Sequence, residues 1–272
     1  EKGYELGFDQ FELPVSRIPE KKPAEEDMPD INVSADDNII RIKGADFEYE
    51  FDTVLGVFAS LSKEGTKLLA QPLKFEIWRA PTDNDRIIRV KWEEEGYNRI
   101  SSHVYEAGIC EKSAKKVVLS SRMSLGGYAK KPVMHIDCQW LVVGDGEITL
   151  EAKALVREEL PWLPRFGLVF VMPEGFEQVE YFGYGPHESY IDKHHGTRKG
   201  KYRACVDEMH EEYLRPQENG SHYKTDWARV TNLKNEGLFF KGSEYFSFNV
   251  SHYTSQDLTN ATHPYKLKKR KE

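Results

Sequence analysis

Residues 134–156, MHIDCQWLVVGDGEITLEAKALV, decide the fold. Met134, Ile136, Cys138, Trp140 and Val142 alternate with other residues and share one face of an extended segment. Gly144-Asp145-Gly146 follows, a turn whose glycines supply the positive φ that tight hairpins demand. Ile148, Leu150, Ala152, Ala154 and Val156 then repeat the period of two. The same alternation recurs outward at Ile40 and Ile42 and at Phe47, Tyr49 and Phe51. Further strands are expected over 54–61, 73–79, 100–110, 115–124, 166–172, 176–184, 199–206, 227–231, 237–241 and 245–251. Helical periodicity is confined to 87–97 and to Ser255–Thr259 behind a Ser/Thr cap. Many short strands with Gly- or Asn-containing turns predict an all-β fold, a large antiparallel β-sandwich.

A chain of 272 residues can bury a substantial core without staples. The three cysteines, Cys110, Cys138 and Cys205, are far apart and lack C-x-x-C spacing, so they read as structural thiols. A net charge of −7 removes the global attraction to phosphate on which nucleic-acid binding relies, and no nucleic-acid partner is expected. No apolar run approaches the roughly 20 residues that cross a bilayer, and no membrane partner is expected. The start at Glu1, with Tyr4, Leu6, Phe8, Phe11 and Leu13 already strand-like, suggests an excised piece of a longer chain. Pro14, Pro19, Pro23 and Pro29 interleave with charged residues as in a linker, and the basic end Lys266 to Lys271 reads as a solvated stub.

Chemistry-bearing residues cluster twice. Asp83-Asn84-Asp85 lacks the glycine and the side-chain oxygen of an EF-hand loop, because Ile88 and Ile87 stand at the sixth and fifth positions. These short polar side chains suit either a structured turn or hydrogen bonds to sugar hydroxyls. His187 and Glu188, with Asp192, His194 and His195 behind them, do not form H-E-x-x-H on a helix, and Gly185-Pro186 argues for a loop. A glycosidase needs two carboxyls flanking one bond, for which Glu188, Asp192 and Glu218 are nominal candidates. Neither a G-x-S-x-G elbow nor a phosphate-binding glycine loop is present. Of the five tryptophans, Trp140 sits on an apolar face and reads as core, whereas Trp162, between Pro161 and Pro164, and Trp227 are less constrained.

Four stretches taken together carry a resemblance. They are Trp78-Arg79-Ala80-Pro81-Thr82-Asp83-Asn84-Asp85, Leu163-Pro164-Arg165-Phe166-Gly167, Phe182-Gly183-Tyr184-Gly185-Pro186-His187-Glu188-Ser189-Tyr190 and Pro216-Gln217-Glu218-Asn219-Gly220, with Phe246 to Ser251 beyond them. With these the chain resembles the carboxy-terminal region of the large bacterial β-galactosidases of glycoside hydrolase family two. The resemblance implies a last strand of an immunoglobulin-like domain over 1–16, a linker over 17–30, and over 31–272 a supersandwich related in shape to galactose mutarotases, truncated at its carboxy end.

It also implies that hydrolysis of terminal β-galactosides, with retention, is carried out by two glutamates in a TIM barrel outside this chain. Magnesium and sodium are bound there too, so no catalytic residue, metal ligand or cofactor is expected here. The expected partners are the barrel and immunoglobulin-like domains of the same polypeptide, and carbohydrate. The resemblance implies a bacterial protein and leaves its compartment open, cytoplasmic, periplasmic or secreted. Arg79, Asp83, Asn84, Asp85, His187 and Glu188 are the candidate substrate-binding residues. Two alternatives stay open: a carbohydrate-binding module using the Arg79 to Asp85 loop and face aromatics, and an aldose mutarotase or epimerase, which requires a convergent His and Glu.

Overall fold

The computed structural model describes residues 3–15 and 24–270. The expected linker residues Pro19, Lys21, Lys22 and Pro23, and the last two residues of the basic end, lie outside the described residues. The chain forms two compact units, a larger one of Ala24–Phe176, Glu212–Glu218 and His252–Glu272 and a smaller one built on Glu177–Glu211 and Asn219–Ser251.

In the larger unit, β1 (Asn32–Asp36), β2 (Ile39–Lys43), β3 (Phe47–Asp52), β4 (Val57–Lys63) and β5 (Thr66–Lys67) make a meander in sequence order. After β6 (Lys74–Glu76), a second antiparallel sheet runs β10-β9-β8-β7, built from β7 (Ile100–Lys112), β8 (Lys116–Gly127), β9 (Met134–Val143) and β10 (Ile148–Val156). β11 (Gly167–Val169) pairs with β6.

The two large sheets stack on the faces that period-two alternation makes apolar. Phe51 and Phe58 meet Trp140 edge-on, with centroids 6.5 and 5.3 Å apart. The Tyr49 hydroxyl donates to the Gly146 carbonyl at 2.9 Å, and the buried Ser121 hydroxyl donates to Gly56 O at 2.8 Å. Ile42, Phe51, Phe58, Val117, Leu119, Met123 and Ile136 are fully enclosed, each contributing about 1.5–3 kcal/mol of transfer free energy. This is the all-β antiparallel sandwich that the strand pattern predicts.

The 134–156 hairpin forms in the expected register, with Trp140 opposite Leu150 and Cys138 opposite Ala152. Only β9 buries its apolar face; β10 is the edge of its sheet, and Leu155 and Val156 stay exposed. The two turn glycines have different tasks. Gly146 takes φ +87°, whereas a Cβ on Gly144 would lie 1.9 Å from the Pro29 carbonyl oxygen, so Gly144 is required for close backbone approach.

The smaller unit holds the antiparallel sheet β13-β12-β14-β15, made of β12 (Gln178–Gly185), β13 (Arg198–Cys205), β14 (His222–Thr231) and β15 (Gly237–Phe248). β15 joins the expected strands 237–241 and 245–251 into one. Val179, Tyr181, Val206, Met209 and Ala228 form its core, with Tyr202, Phe246 and Phe248 packed against it.

The strand-like opening joins no ladder: residues 4–15 carry no strand pairing, and Tyr4, Leu6, Phe11 and Leu13 are exposed. Alternation alone does not make a strand when no partner edge is hydrogen-bonded to it. Gln10 replaces such pairing with its side-chain amide, which accepts from Lys199 N at 2.6 Å and donates to Lys199 O at 3.0 Å.

Candidate functional site

The five matched stretches all contribute to the two candidate sites, and the first site is in the larger unit. Thr82 closes the extended segment after β6 and caps a 3-10 turn, Asp83–Arg86, which leads into helix α1 (Ile88–Glu94). The Asp85 carboxylate, 3% exposed, accepts from Thr82 N at 2.9 Å and from the Thr82 hydroxyl at 3.1 Å. The same carboxylate receives one Arg79 guanidinium nitrogen at 2.7 and 2.9 Å. Arg79 itself lies 5.7 Å from the centroid of Trp92 and 5.8 Å from that of Trp162, against an edge-on indole pair whose own centroids are 4.7 Å apart.

Other segments fasten this turn. The Trp92 indole N–H donates to Trp162 O at 2.8 Å, and the Tyr97 hydroxyl donates to Pro161 O at 2.8 Å. Burial pushes the Tyr97 phenol up to about 12, with the Glu95 charge adding to the rise. Trp78 is buried and donates its indole N–H to Thr259 on helix α2 (Ser255–Asn260) at 3.0 Å. Glu218 N donates to Ala80 O at 3.0 Å, while its carboxylate pairs with Arg165 at 3.3 Å. Arg165 also donates to the Ser255 hydroxyl.

Asp83 and Asn84 point outward from this knot and are exposed, and Asp83 N donates to Gln217 Oε1 at 3.3 Å. Thus Arg79 and Asp85 are brought together as structural partners, whereas Asp83 and Asn84 are presented to solvent. Trp162 and Arg165 belong to this site although spacing did not single them out; the signal was the Pro161 to Gly167 stretch, which carries an exposed indole and the half-buried cation that pairs with Glu218.

The second cluster lies in the smaller unit. Glu188, 7% exposed, pairs with Lys193 at 2.5 Å and accepts from Gly220 N at 2.9 Å. Ser189 N donates to Ser221 O at 2.7 Å, Tyr223 N donates to the Ser189 hydroxyl at 2.9 Å, and Asn249 donates to Asn219 O. Three matched stretches therefore meet in one hydrogen-bonded node. His187 is exposed and lines, with Asp192, His194 and His195, an open depression of about 340 Å³. The buried His222 donates from Nδ1 to Tyr184 O at 3.0 Å, and desolvation lowers its pKa. Among the described residues no group of three or more His, Cys, Asp or Glu side chains is arranged to hold a metal ion.

Chemically, the buried acids of both clusters are spoken for. Asp85 answers Arg79 and Thr82, Glu218 answers Arg165, and Glu188 answers Lys193 and Gly220.

The chain matches the family model described as β galactosidase small chain over residues 43–272. It is 40% identical over 228 residues to a β-galactosidase of Actinobacillus pleuropneumoniae, covering 84% of this chain and 22% of that protein. It is 31% identical over 263 residues to a β-galactosidase of Staphylococcus xylosus, covering 96% of this chain and 26% of the relative. It is 30% identical over 268 residues to a β-galactosidase of Priestia megaterium, covering 97% and 25%. The chain spans about a quarter of the length of these curated relatives.

Proposed function

Because this chain belongs to the β-galactosidase small-chain family, we propose that it is the non-catalytic sandwich portion of a β-galactosidase, bracing the catalytic barrel and shaping the rim of its active site. In this reading hydrolysis of terminal β-D-galactosides is carried out by carboxylates in the rest of the polypeptide, where the magnesium and sodium sites also lie. Residues 1–16 end a preceding immunoglobulin-like domain, 17–30 link, and 31–272 form the sandwich domain.

The observation that supports a non-catalytic role is the engagement of Asp85, Glu188 and Glu218 by fixed cations and backbone amides. A retaining pair needs one nucleophile and one proton donor about 5–5.5 Å apart and open to substrate, and these acids are closed off by their partners. Asp83 and Asn84, exposed on a turn held rigid by the Arg79–Asp85 pair, are the residues of this chain suited to face sugar hydroxyls.

The test is turnover of a nitrophenyl β-galactoside by the purified 272-residue chain and by the same chain assembled with the rest of the enzyme. Activity is expected only in the assembly. Turnover by the chain alone, abolished by Glu188→Gln or Glu218→Gln, would overturn the proposal. Calorimetric binding of galactosides by the isolated chain, lost in Asp83→Ala with Asn84→Ala, would instead identify a carbohydrate-binding module. Accelerated mutarotation of fresh α-galactose, followed by polarimetry, would identify a mutarotase.

A further inference from the structure

The register of the sheet in the smaller unit sorts its side chains onto two unlike faces. One face holds the core residues Val179, Tyr181 and Ala228. On the other, Glu180 lies opposite Arg203 and Arg229, Phe182 lies opposite Lys201 and Trp227, and Lys241 and Phe239 lie opposite Trp227 and Arg229. Glu180, 6% exposed, sits at the centre and gathers Lys201 at 2.9 Å, Arg203 at 2.7 Å and Arg229 at 2.6 Å. Lys199 pairs with Asp226 at 2.6 Å.

Among the described residues in this register, the five basic side chains Lys199, Lys201, Arg203, Arg229 and Lys241 stand with the two acidic ones Glu180 and Asp226, in a chain whose net charge is −7. The aromatic rings lie among them. The Lys201 ammonium is 5.7 Å from the Trp227 centroid, the Lys199 ammonium is 5.7 Å from the Phe182 centroid, and Trp227 stacks on Phe239 at 5.9 Å. Phe239 is 60% exposed. Tryptophan, phenylalanine and arginine held together at the surface, with cations fanned outward by a buried carboxylate, make the composition of an interface core and its rim rather than of a solvated sheet face.

We propose that this basic aromatic face, Phe182, Lys201, Trp227, Arg229, Phe239 and Lys241, docks an acidic surface on the rest of the β-galactosidase polypeptide. The inference rests on the proposed function, since the occupant is the three-quarters of the relatives' length that this chain does not span. Charge selects that occupant over a second copy of the chain. A two-fold contact through this face would press like charges together, which costs several kcal/mol. An acidic partner surface instead meets cations already fixed in place, with rings to exclude water around them.

The experiment co-expresses the chain with the rest of the polypeptide and measures how much of the two is recovered together as NaCl is raised. Wild type is expected to co-purify at low salt and to dissociate as salt screens the pairing. The double variant Lys201→Glu with Lys241→Glu should lower recovery about tenfold, and Phe239→Ala about fivefold. Circular dichroism and the melting temperature of Phe239→Ala and of Lys241→Glu alone should be unchanged, because neither residue is bonded to Glu180 and Phe239 is an exposed ring; Lys201→Glu removes the main partner of Glu180 and should lower the melting temperature, so Lys241→Glu alone is the charge variant free of folding loss. Equal recovery of all variants, no recovery of the wild type, or loss of a self-associated form in place of the complex would each overturn the docking face. Galactosidase activity of the wild-type assembly separates the two proposals: an inactive but salt-sensitive complex defeats only the function, and an active complex indifferent to the variants defeats only the face.

Discussion

One guanidinium nitrogen of Arg79 contacts both carboxylate oxygens of Asp85, at 2.7 and 2.9 Å, while the cation rests against the Trp92–Trp162 pair. The pair ties an extended segment to the turn that follows it six residues on. It therefore sets the direction in which Asp83 and Asn84 leave the knot.

Asp85→Ala removes the carboxylate to which Arg79 donates and the acceptor that caps the 83–86 turn. The remaining cation is 23% exposed by side chain and rests against an indole pair, so the expected loss is about 3 kcal/mol in unfolding free energy. Asp85→Asn should lose less, because an amide oxygen still accepts from Thr82. Urea unfolding measures both, and a midpoint for Asp85→Ala equal to wild type would contradict a structural role.

Gly220 has φ +71°, and a Cβ there would stand 2.2 Å from the Met209 carbonyl oxygen. Gly220→Ala is expected to cost about 2 kcal/mol or more and to loosen the amide that holds Glu188. Gly108→Ala, where nothing lies within 4 Å, is the matched control and should stay within about 0.5 kcal/mol of wild type. Equal melting temperatures for the two variants would refute the distinction.

Acid should destabilise the chain through two carboxylates. Glu180 is held at about 2 against an ordinary 4.5, mainly by its hydrogen bond to Lys201, and Asp257 at about 2 against 3.8, mainly by its hydrogen bond to Arg270. Both values are depressed by folding, so the stabilisation is fully present above about pH 4.5 and is lost as pH falls from there through about 2. Glu180→Gln should flatten the fall of unfolding free energy between pH 5 and pH 2.5, about the range spanned by these groups. A slope identical to wild type would show that the carboxylate gains nothing from its three cations.

Thiol labelling should rank the cysteines by environment. Burial pushes the Cys138 thiol up to about 11, whereas Cys110 is exposed. In the native chain at about pH 8 Ellman's reagent is expected to reach Cys110 quickly and Cys138 only after denaturation, because the thiolate is the reactive form. Prompt native labelling of Cys138, identified by peptide mapping, would contradict its enclosure in the sandwich.

Much of the fold was legible in local pattern. The alternation from Met134 to Val142 and the turn at Gly144 to Gly146 specified a hairpin whose register the structure reproduces. The short helix at 255–260 fell within one residue of its signal, and that at 88–94 lies inside the expected 87–97, ending three residues early at the left-handed Gly96 turn. The opening residues Tyr4, Leu6 and Phe8 alternate like a strand and have no ladder partner among the described residues, as a strand belonging to a preceding domain would not. The half-exposed face of β10 was hidden, since edge and interior strands share one period.

The candidate site was legible as a set of stretches and not as an arrangement. Asp83, Asn84 and Asp85 are adjacent acids and amides in sequence, yet only Asp85 turns inward, because the 3-10 turn rotates its third residue back onto the Thr82 cap. Glu188 looks like an available acid beside His187 until Lys193 and Gly220 N are seen to occupy both of its oxygens.

Sequence by itself determined which segments become strands and where they turn, because side-chain alternation and glycine's backbone freedom act over a few neighbouring residues. Tertiary structure alone decided which acids are neutralised, which rings are enclosed and which basic face is left outward. Those outcomes depend on partners such as Arg165 and Glu218, 53 positions apart, and burial and charge compensation exist only once distant segments share one place.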